Sequence, residues 1–161
     1  MPEANNFGTN FGTIVIGAGN AGYSAATTAA QRGDRNVLLV EKGPPSTGGN
    51  TYFTAGGYRT VFDGLDDVLP LVCNVTAEEA RTIDMEPYTE RKFLDDLYRV
   101  TGGRVDPVLA ETLVKNSRGA VGWLGEIGVQ FTLSFNRQAY KVDGRQKFWG
   151  GMVGTSHIHY T

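Results

Sequence analysis

The chain has 161 residues, with 15 Lys and Arg against 17 Asp and Glu, a net charge of -2 and a 40% hydrophobic fraction. That length allows one core of ordinary size, or one domain and a piece of another. The cations are scattered among acids, which excludes the broad positive field of a nucleic-acid partner. No stretch approaches the roughly 20 apolar residues of a membrane span, and residues 1–10 hold neither a basic region nor an apolar signal core, so no membrane span and a cytoplasmic location are expected. Cys73 is the single cysteine, which rules out an internal disulfide; its neighbours Leu69, Leu71, Val72 and Val75 predict a buried, inert thiol.

In chain order, Gly12 to Ile16 reads as a short buried parallel strand rich in β-branched residues. Ala21 to Arg32 reads as a helix with Ala25, Ala26, Ala29 and Ala30 on its inner face, capped by Gly33, and Asn36 to Val40 as a second strand. This is one βαβ unit, with a helix-to-strand connection at Asp34, Arg35 and Asn36 about one residue longer than the commonest form. Lys42 to Gly57 holds too many glycines and prolines for a regular element and is expected as a structured loop, while Arg59 to Glu86 reads ambiguously.

Tyr88 to Thr101 predicts an amphipathic helix with Phe93, Leu94, Leu97 and Tyr98 inward, stopped by Gly102 and Gly103. Asp106 then caps a further helix with Pro107 at its first position and Leu109, Leu113 and Val114 buried. Arg118 to Ile127 continues or restarts it, with Gly128 as the stop, and Val129 to Phe135 reads as a strand. Asn136 to Thr161 shows no clear pattern, and Arg137, Arg145 and Lys147 read as solvated surface.

Gly17, Gly19 and Gly22 form a G-x-G-x-x-G turn between the first strand and the helix. The first glycine permits the tight turn, the second lets backbone approach a diphosphate, and the third lets the helix pack on the strand. The helix that opens there directs free N–H groups and its positive dipole end at an anion, a gain of roughly 0.3 to 1 kcal/mol from the dipole alone. Glu41, at the end of the second strand, is suited to accept hydrogen bonds from an adenosine ribose and would repel a 2′-phosphate, which disfavours NADP. FAD or NAD is therefore the expected ligand. The candidate contacts are Gly17, Gly19, Asn20, Ala21, Gly22, Glu41 and Lys42.

The run from Thr13 to Glu41, followed by Lys42 and Gly43, resembles the first segment of the two-dinucleotide-domain flavoproteins. Gly48-Gly49-Asn50-Thr51, then Ala55-Gly56-Gly57, resembles the flavin-facing loop of the fumarate reductase and succinate dehydrogenase flavoprotein family. That resemblance implies FAD as cofactor and adds Gly49, Asn50, Thr51, Ala55, Gly56 and Gly57 as contacts. Some members attach FAD through a His in this loop; the matching position falls at or near Asn50, whose amide is no such nucleophile, so non-covalent FAD is implied. The segments Thr101-Gly102-Gly103-Arg104, Asp106-Pro107 and Trp123-Leu124 before Gly128-Val129 resemble the tricarballylate dehydrogenase branch.

The fold class implied is α/β: a partial Rossmann-type FAD-binding domain over residues 12–87, then helices leading into an incomplete substrate or cap domain over 88–161. The resemblance implies the N-terminal portion of an oxidoreductase that moves a hydride between flavin and a carbon next to a carboxylate or carbonyl, with a small dicarboxylate- or ketone-like substrate in the full-length parent. The His and Arg residues that bind and protonate substrate in that family lie downstream of these motifs, so no catalytic residue is assigned. His157 and His159 lack a third ligand nearby, and no metal site is assigned. Two alternatives stay open, a non-catalytic stand-alone FAD module and a small NAD-binding dehydrogenase domain. A fragment is also expected to leave apolar sheet surface wet.

Overall fold

The computed structural model describes residues 8, 10–44 and 48–155. They fall into two compact units, residues 1–54 and 55–161. The boundary expected from the resemblance, at residue 87, concerns the parent enzyme's architecture; in compactness, residues 55–87 go with the segment that follows them.

The first unit is the expected βαβ. Strand β1 (Thr13–Ile16) pairs in parallel with β2 (Val37–Val40), Thr13 opposite Val37 and Ile16 opposite Val40, and helix α1 (Asn20–Gln31) connects them. Alternation along β1 puts its side chains on opposite faces. Val15 lies towards α1, 3.5 Å from the position of a Cβ on Gly22, while Ile14 and Ile16 are 59% and 87% exposed. The inner face of α1 differs from expectation: Ala26 and Ala29 are half-buried, but Ala25 and Ala30 are exposed. Two strands offer the helix a narrow floor, and only one stripe of it reaches that floor.

The helix ends as a Schellman motif, with Gly33 at φ +100 donating its N–H to the Ala30 carbonyl and Asp34 donating to the Ala29 carbonyl. The long connection has its own reason. Asp34 accepts from the Thr13 hydroxyl at 2.6 Å and from the Asn36 N–H at 3.0 Å, so one carboxylate ties the turn to the start of β1.

In the second unit, β3 (Gly57–Arg59) is followed by short helices α2 (Leu65–Val68) and α3 (Ala77–Ala80), then by β4 (Ile83–Met85). Two longer helices follow, α4 (Glu90–Thr101) and α5 (Pro107–Glu126). The remainder is β5 (Phe131–Thr132), α6 (Phe135–Gln138), β6 (Ala139–Val142), β7 (Arg145–Phe148) and β8 (Met152–Thr155). One sheet has the order β3-β8-β5 with antiparallel pairs; the other, β4-β7-β6, joins a parallel pair to a hairpin. Phe62, Val68, Phe93, Val114, Phe131 and Val153 belong to the core between these elements.

Helix α4 stops where its sequence predicts, with Gly102 at φ +61 beyond the last turn, but starts two residues later than Tyr88, where the Thr89 hydroxyl accepts from the Lys92 N–H. Phe93 is buried, but Tyr98 is 38% exposed, against expectation. Helix α5 runs unbroken from Pro107, with the Asp106 carboxylate capping Val108 and Leu109. Its buried stripe is Ala110, Val114, Ser117 and Val121, whereas Leu109 and Leu113, expected inside, are 68% and 54% exposed. The orientation is set by Ser117, whose hydroxyl accepts from the Val61 N–H at 3.1 Å and donates to the Val114 carbonyl at 2.8 Å. A small polar residue thus faces inward, and the leucines one residue before Ala110 and Val114 rotate out.

Cys73 is exposed, which corrects the buried thiol. Extended backbone at Val72 alternates the side chains, so Val72 turns inward while Cys73 faces out, its N–H bonded to the Phe131 carbonyl at 3.0 Å. The strand expected over Val129 to Phe135 shrinks to β5 because Asn74 intervenes. Its side-chain amide donates to the Leu133 carbonyl at 2.9 Å and accepts from the Leu133 N–H at 2.8 Å, acting as a one-residue partner strand. Arg145 and Lys147 do more than meet solvent: Arg145 donates to the Ile83 carbonyl at 2.8 Å, and Lys147 lies 3.9 and 3.8 Å from Asp84 and Glu86.

Candidate functional site

The glycine turn is shaped by contacts that only backbone can make. Gly17 has φ +101, a conformation that side chains disfavour, and a Cβ on Gly22 would overlap the Gly17 carbonyl oxygen. Gly19 is different. Its backbone is extended, at φ -78 and ψ -178, and a Cβ there would meet only the Gly49 Cα, at 3.9 Å. Neither conformation nor packing among the described residues demands glycine at 19, so the missing side chain leaves room in front of the α1 N-terminus. Among the described residues no side chain caps that helix end, and the first intrahelical bond runs from the Tyr23 N–H to the Gly19 carbonyl. The amides of Asn20, Ala21 and Gly22 therefore face an open space. Unclaimed donors, a positive dipole end and an emptied approach are the features a diphosphate needs, and these residues fit that part of a dinucleotide.

Glu41 stands at the end of β2. Its Oε2 accepts from the Ala18 N–H at 2.6 Å and its Oε1 from the Gly43 N–H at 2.8 Å. These two amides, Gly43 first and Ala18 second, hold the carboxyl below the usual glutamate range, so the group is an anion at neutral pH. Lys42 beside it is exposed.

The second glycine pair packs on the first turn. A Cβ on Gly48 would overlap the Ala18 carbonyl oxygen, and one on Gly49, which has φ +58, would lie 3.1 Å from the Gly19 Cα. Asn50 and Thr51 open a 3-10 turn, Asn50–Phe53, and are exposed, as is the edge-to-face pair Tyr52 and Phe53. The first unit thus brings Gly17, Gly19, Asn20, Ala21, Gly22, Glu41, Lys42, Gly49, Asn50 and Thr51 into one region. Gly48 stood in the loop motif without being assigned a contact, and Ala18 was missed, since nothing local marks it.

Ala55, Gly56 and Gly57 begin the second unit. Gly56 has φ +67, and its carbonyl accepts from the Thr155 N–H at 2.8 Å; a Cβ on Gly57 would lie 2.7 Å from the Met152 sulfur. These glycines seat β8 against β3. The second unit also has a shallow cavity of about 320 Å³ lined by Val61, Phe62, Asp63, Asp67, Tyr88, Thr89, Glu90 and Arg118. Arg118 donates through Nε and Nη2 to one Asp67 oxygen, at 3.0 and 2.9 Å, and also to the Asp67 carbonyl, so this pair closes on itself.

His157 and His159 lie outside the described residues. Among the described residues no cluster of three His, Cys, Asp or Glu side chains is placed to hold a metal, and no helix is long and apolar enough to cross a membrane.

Residues 12–160 match the family model of the FAD binding domain. The chain is 31% identical over 121 residues to a fumarate reductase (cytochrome) of Shewanella frigidimarina, covering 74% of this chain and 18% of that protein. It is 31% identical over 123 residues to a urocanate reductase of Eggerthella lenta, covering 72% of this chain and 16% of that protein. A 55-residue stretch is 44% identical to an L-aspartate oxidase of Vibrio cholerae, covering 34% and 10%. The chain thus spans under a fifth of the length of these relatives. An α/β chain with a dinucleotide turn and a match over nearly all its length belongs to the FAD-binding-domain family.

Proposed function

We propose that this chain is the portion of an FAD-dependent oxidoreductase of the fumarate reductase type that grips the dinucleotide of non-covalently held FAD, and that the whole enzyme acts on a carbon–carbon bond next to a carboxylate or carbonyl. The observation that carries the reading is the emptied approach at Gly19, directly before unclaimed first-turn amides and beside the Glu41 carboxylate. The amides of Gly19, Asn20, Ala21 and Gly22 bind the diphosphate, Gly17 makes the turn that aims them, and Glu41 with Lys42 meets the adenosine ribose. Gly49, Asn50, Thr51, Ala55, Gly56 and Gly57 form the loop towards the flavin side.

Hydride chemistry is supplied by FAD when bound; the residues of this chain hold and orient it. Fumarate and urocanate, named in two of the relatives, both carry a double bond conjugated to a carboxylate, which supports that substrate class. Asn50 at the loop position offers only an amide, which supports non-covalent attachment. Residues 12–87 serve as the N-terminal part of the FAD-binding domain and 88–161 as a helical extension and the start of a substrate-covering domain. The balanced charge supports an enzyme without a nucleic-acid partner.

Titration of the purified chain with FAD and, separately, NAD tests the reading. Quenched flavin fluorescence that saturates, and survives gel filtration only until acid or denaturant releases intact FAD, is expected. Binding of NAD without FAD, or flavin that stays attached after denaturation, would contradict it.

A further inference from the structure

In the reading above Glu41 meets the ribose, yet both of its oxygens already accept hydrogen bonds from the chain's own amides. One residue before Ala18, the Gly17 N–H donates to the Val40 carbonyl at 2.7 Å. Successive amides of the turn are thus tied to successive groups at the end of β2, the first by backbone and the second by a side chain. Ala18 is also where the second glycine loop rests, since a Cβ on Gly48 would overlap the Ala18 carbonyl oxygen. At 6% exposure it is the one buried residue among the described residues of the first unit. The carboxylate therefore reaches the point on which both glycine loops depend.

We infer that Glu41 is a positioning residue: it holds the Gly17–Gly19 turn in its diphosphate-accepting shape before any ligand arrives, through Ala18 on one oxygen and Gly43 on the other. The inference rests on the proposed FAD site but does not depend on the ribose contact. An ionised carboxylate has about four lone-pair positions, so each oxygen can keep its backbone amide and still accept a ribose hydroxyl.

The two roles differ in sign for a ligand without a ribose. If Glu41 serves the ribose alone, its negative charge only repels inorganic pyrophosphate, and removing it strengthens binding. If Glu41 holds the turn, removing it weakens binding, because the competent shape is less populated.

The test uses the full chain with Glu41→Ala and Glu41→Gln, each titrated with inorganic pyrophosphate and with FAD under amide-resolved NMR. In the unliganded protein the Ala18 and Gly43 amide protons are expected downfield, and both move upfield in Glu41→Ala. Pyrophosphate affinity is expected to fall about tenfold in Glu41→Ala, as for a turn that is competent about one time in ten. Glu41→Gln, whose carbonyl keeps one of the two bonds, is expected to fall between, and it carries the test if the alanine variant unfolds the first unit. Unchanged or tighter pyrophosphate binding in both variants, or unmoved Ala18 and Gly43 signals, overturns the inference. Failure of the wild-type chain to bind FAD while the pyrophosphate pattern holds overturns the functional reading instead, so the two fail separately.

Discussion

Among the described residues of the first unit only Ala18 is buried, whereas the second unit buries Val68, Val114, Phe131 and Val153 completely. The first unit holds its shape by other means: a two-strand ladder, a Schellman turn, and two carboxylates, Asp34 and Glu41, that accept backbone or hydroxyl donors. Its apolar side chains, Ile14 and Ile16 among them, lie exposed on a sheet of two strands, so packing contributes little there. The second unit has a mixed core of aromatic and aliphatic side chains and closes its charged pairs on one another. Side-chain packing stabilises one region; backbone conformation specifies the other.

That contrast is broken most forcefully by Phe131→Ala. Phe131 is fully buried and packs edge-to-face on Tyr58, so the change is expected to cost about 3–5 kcal/mol in urea unfolding followed by near-UV circular dichroism. A loss of about 1 kcal/mol or less would mean that the second unit lacks the tight core described.

Gly22→Val is the counterpart in the first unit. The added carbons overlap the Gly17 carbonyl and push α1 off its strand. FAD affinity is expected to fall by about a hundredfold or more, the equivalent of roughly 3 kcal/mol, while the near-UV signal of the second unit keeps its urea midpoint. Equal loss of both would erase the distinction between the regions.

Smaller effects sharpen it. Asp106→Ala removes the cap on Val108 and Leu109 and is expected to cost about 1 kcal/mol of stability. Asp67→Asn weakens the Arg118 pair, about one-third exposed on each side, and after solvent screening about 0.5–1 kcal/mol is expected. The Arg118 guanidinium holds the Asp67 carboxyl below its ordinary range, so the pair's stabilisation is full above the unfolded-state value and fades as pH falls through the folded one. An acid titration of urea midpoints should therefore show a smaller acid-side loss in Asp67→Asn than in the wild type.

Where the sequence was legible, the information was local. Gly17, Gly22 and Gly33 each sit where conformation or close approach requires glycine, and that logic needs no distant partner. Asp106 and Gly102 marked their helix ends for the same reason. Helix faces were harder. The leucine stripe of α5 looked like the core side, but the Ser117 bond to the Val61 N–H, across 56 residues, turned it outward. Parallel pairing of β4 with β7 unites two short strands far apart in sequence, with no periodicity long enough to announce it. The β6–β7 hairpin was readable and missed: Asp143-Gly144, both at positive φ, is a two-residue turn that right-twisted strands favour. Gly56 and Gly57 show the converse, since the motif that suggested a flavin loop also serves the packing of β8.

The most direct measurement is an FAD titration of the full chain with amide resonances assigned. The expected result is saturable shifts at Gly19, Asn20, Ala21 and Gly22, with smaller ones at Glu41, Gly49 and Thr51. Saturable FAD binding that leaves the Gly19 to Gly22 amides unmoved, or no saturable FAD binding by folded protein, would contradict a dinucleotide grip built from that helix mouth.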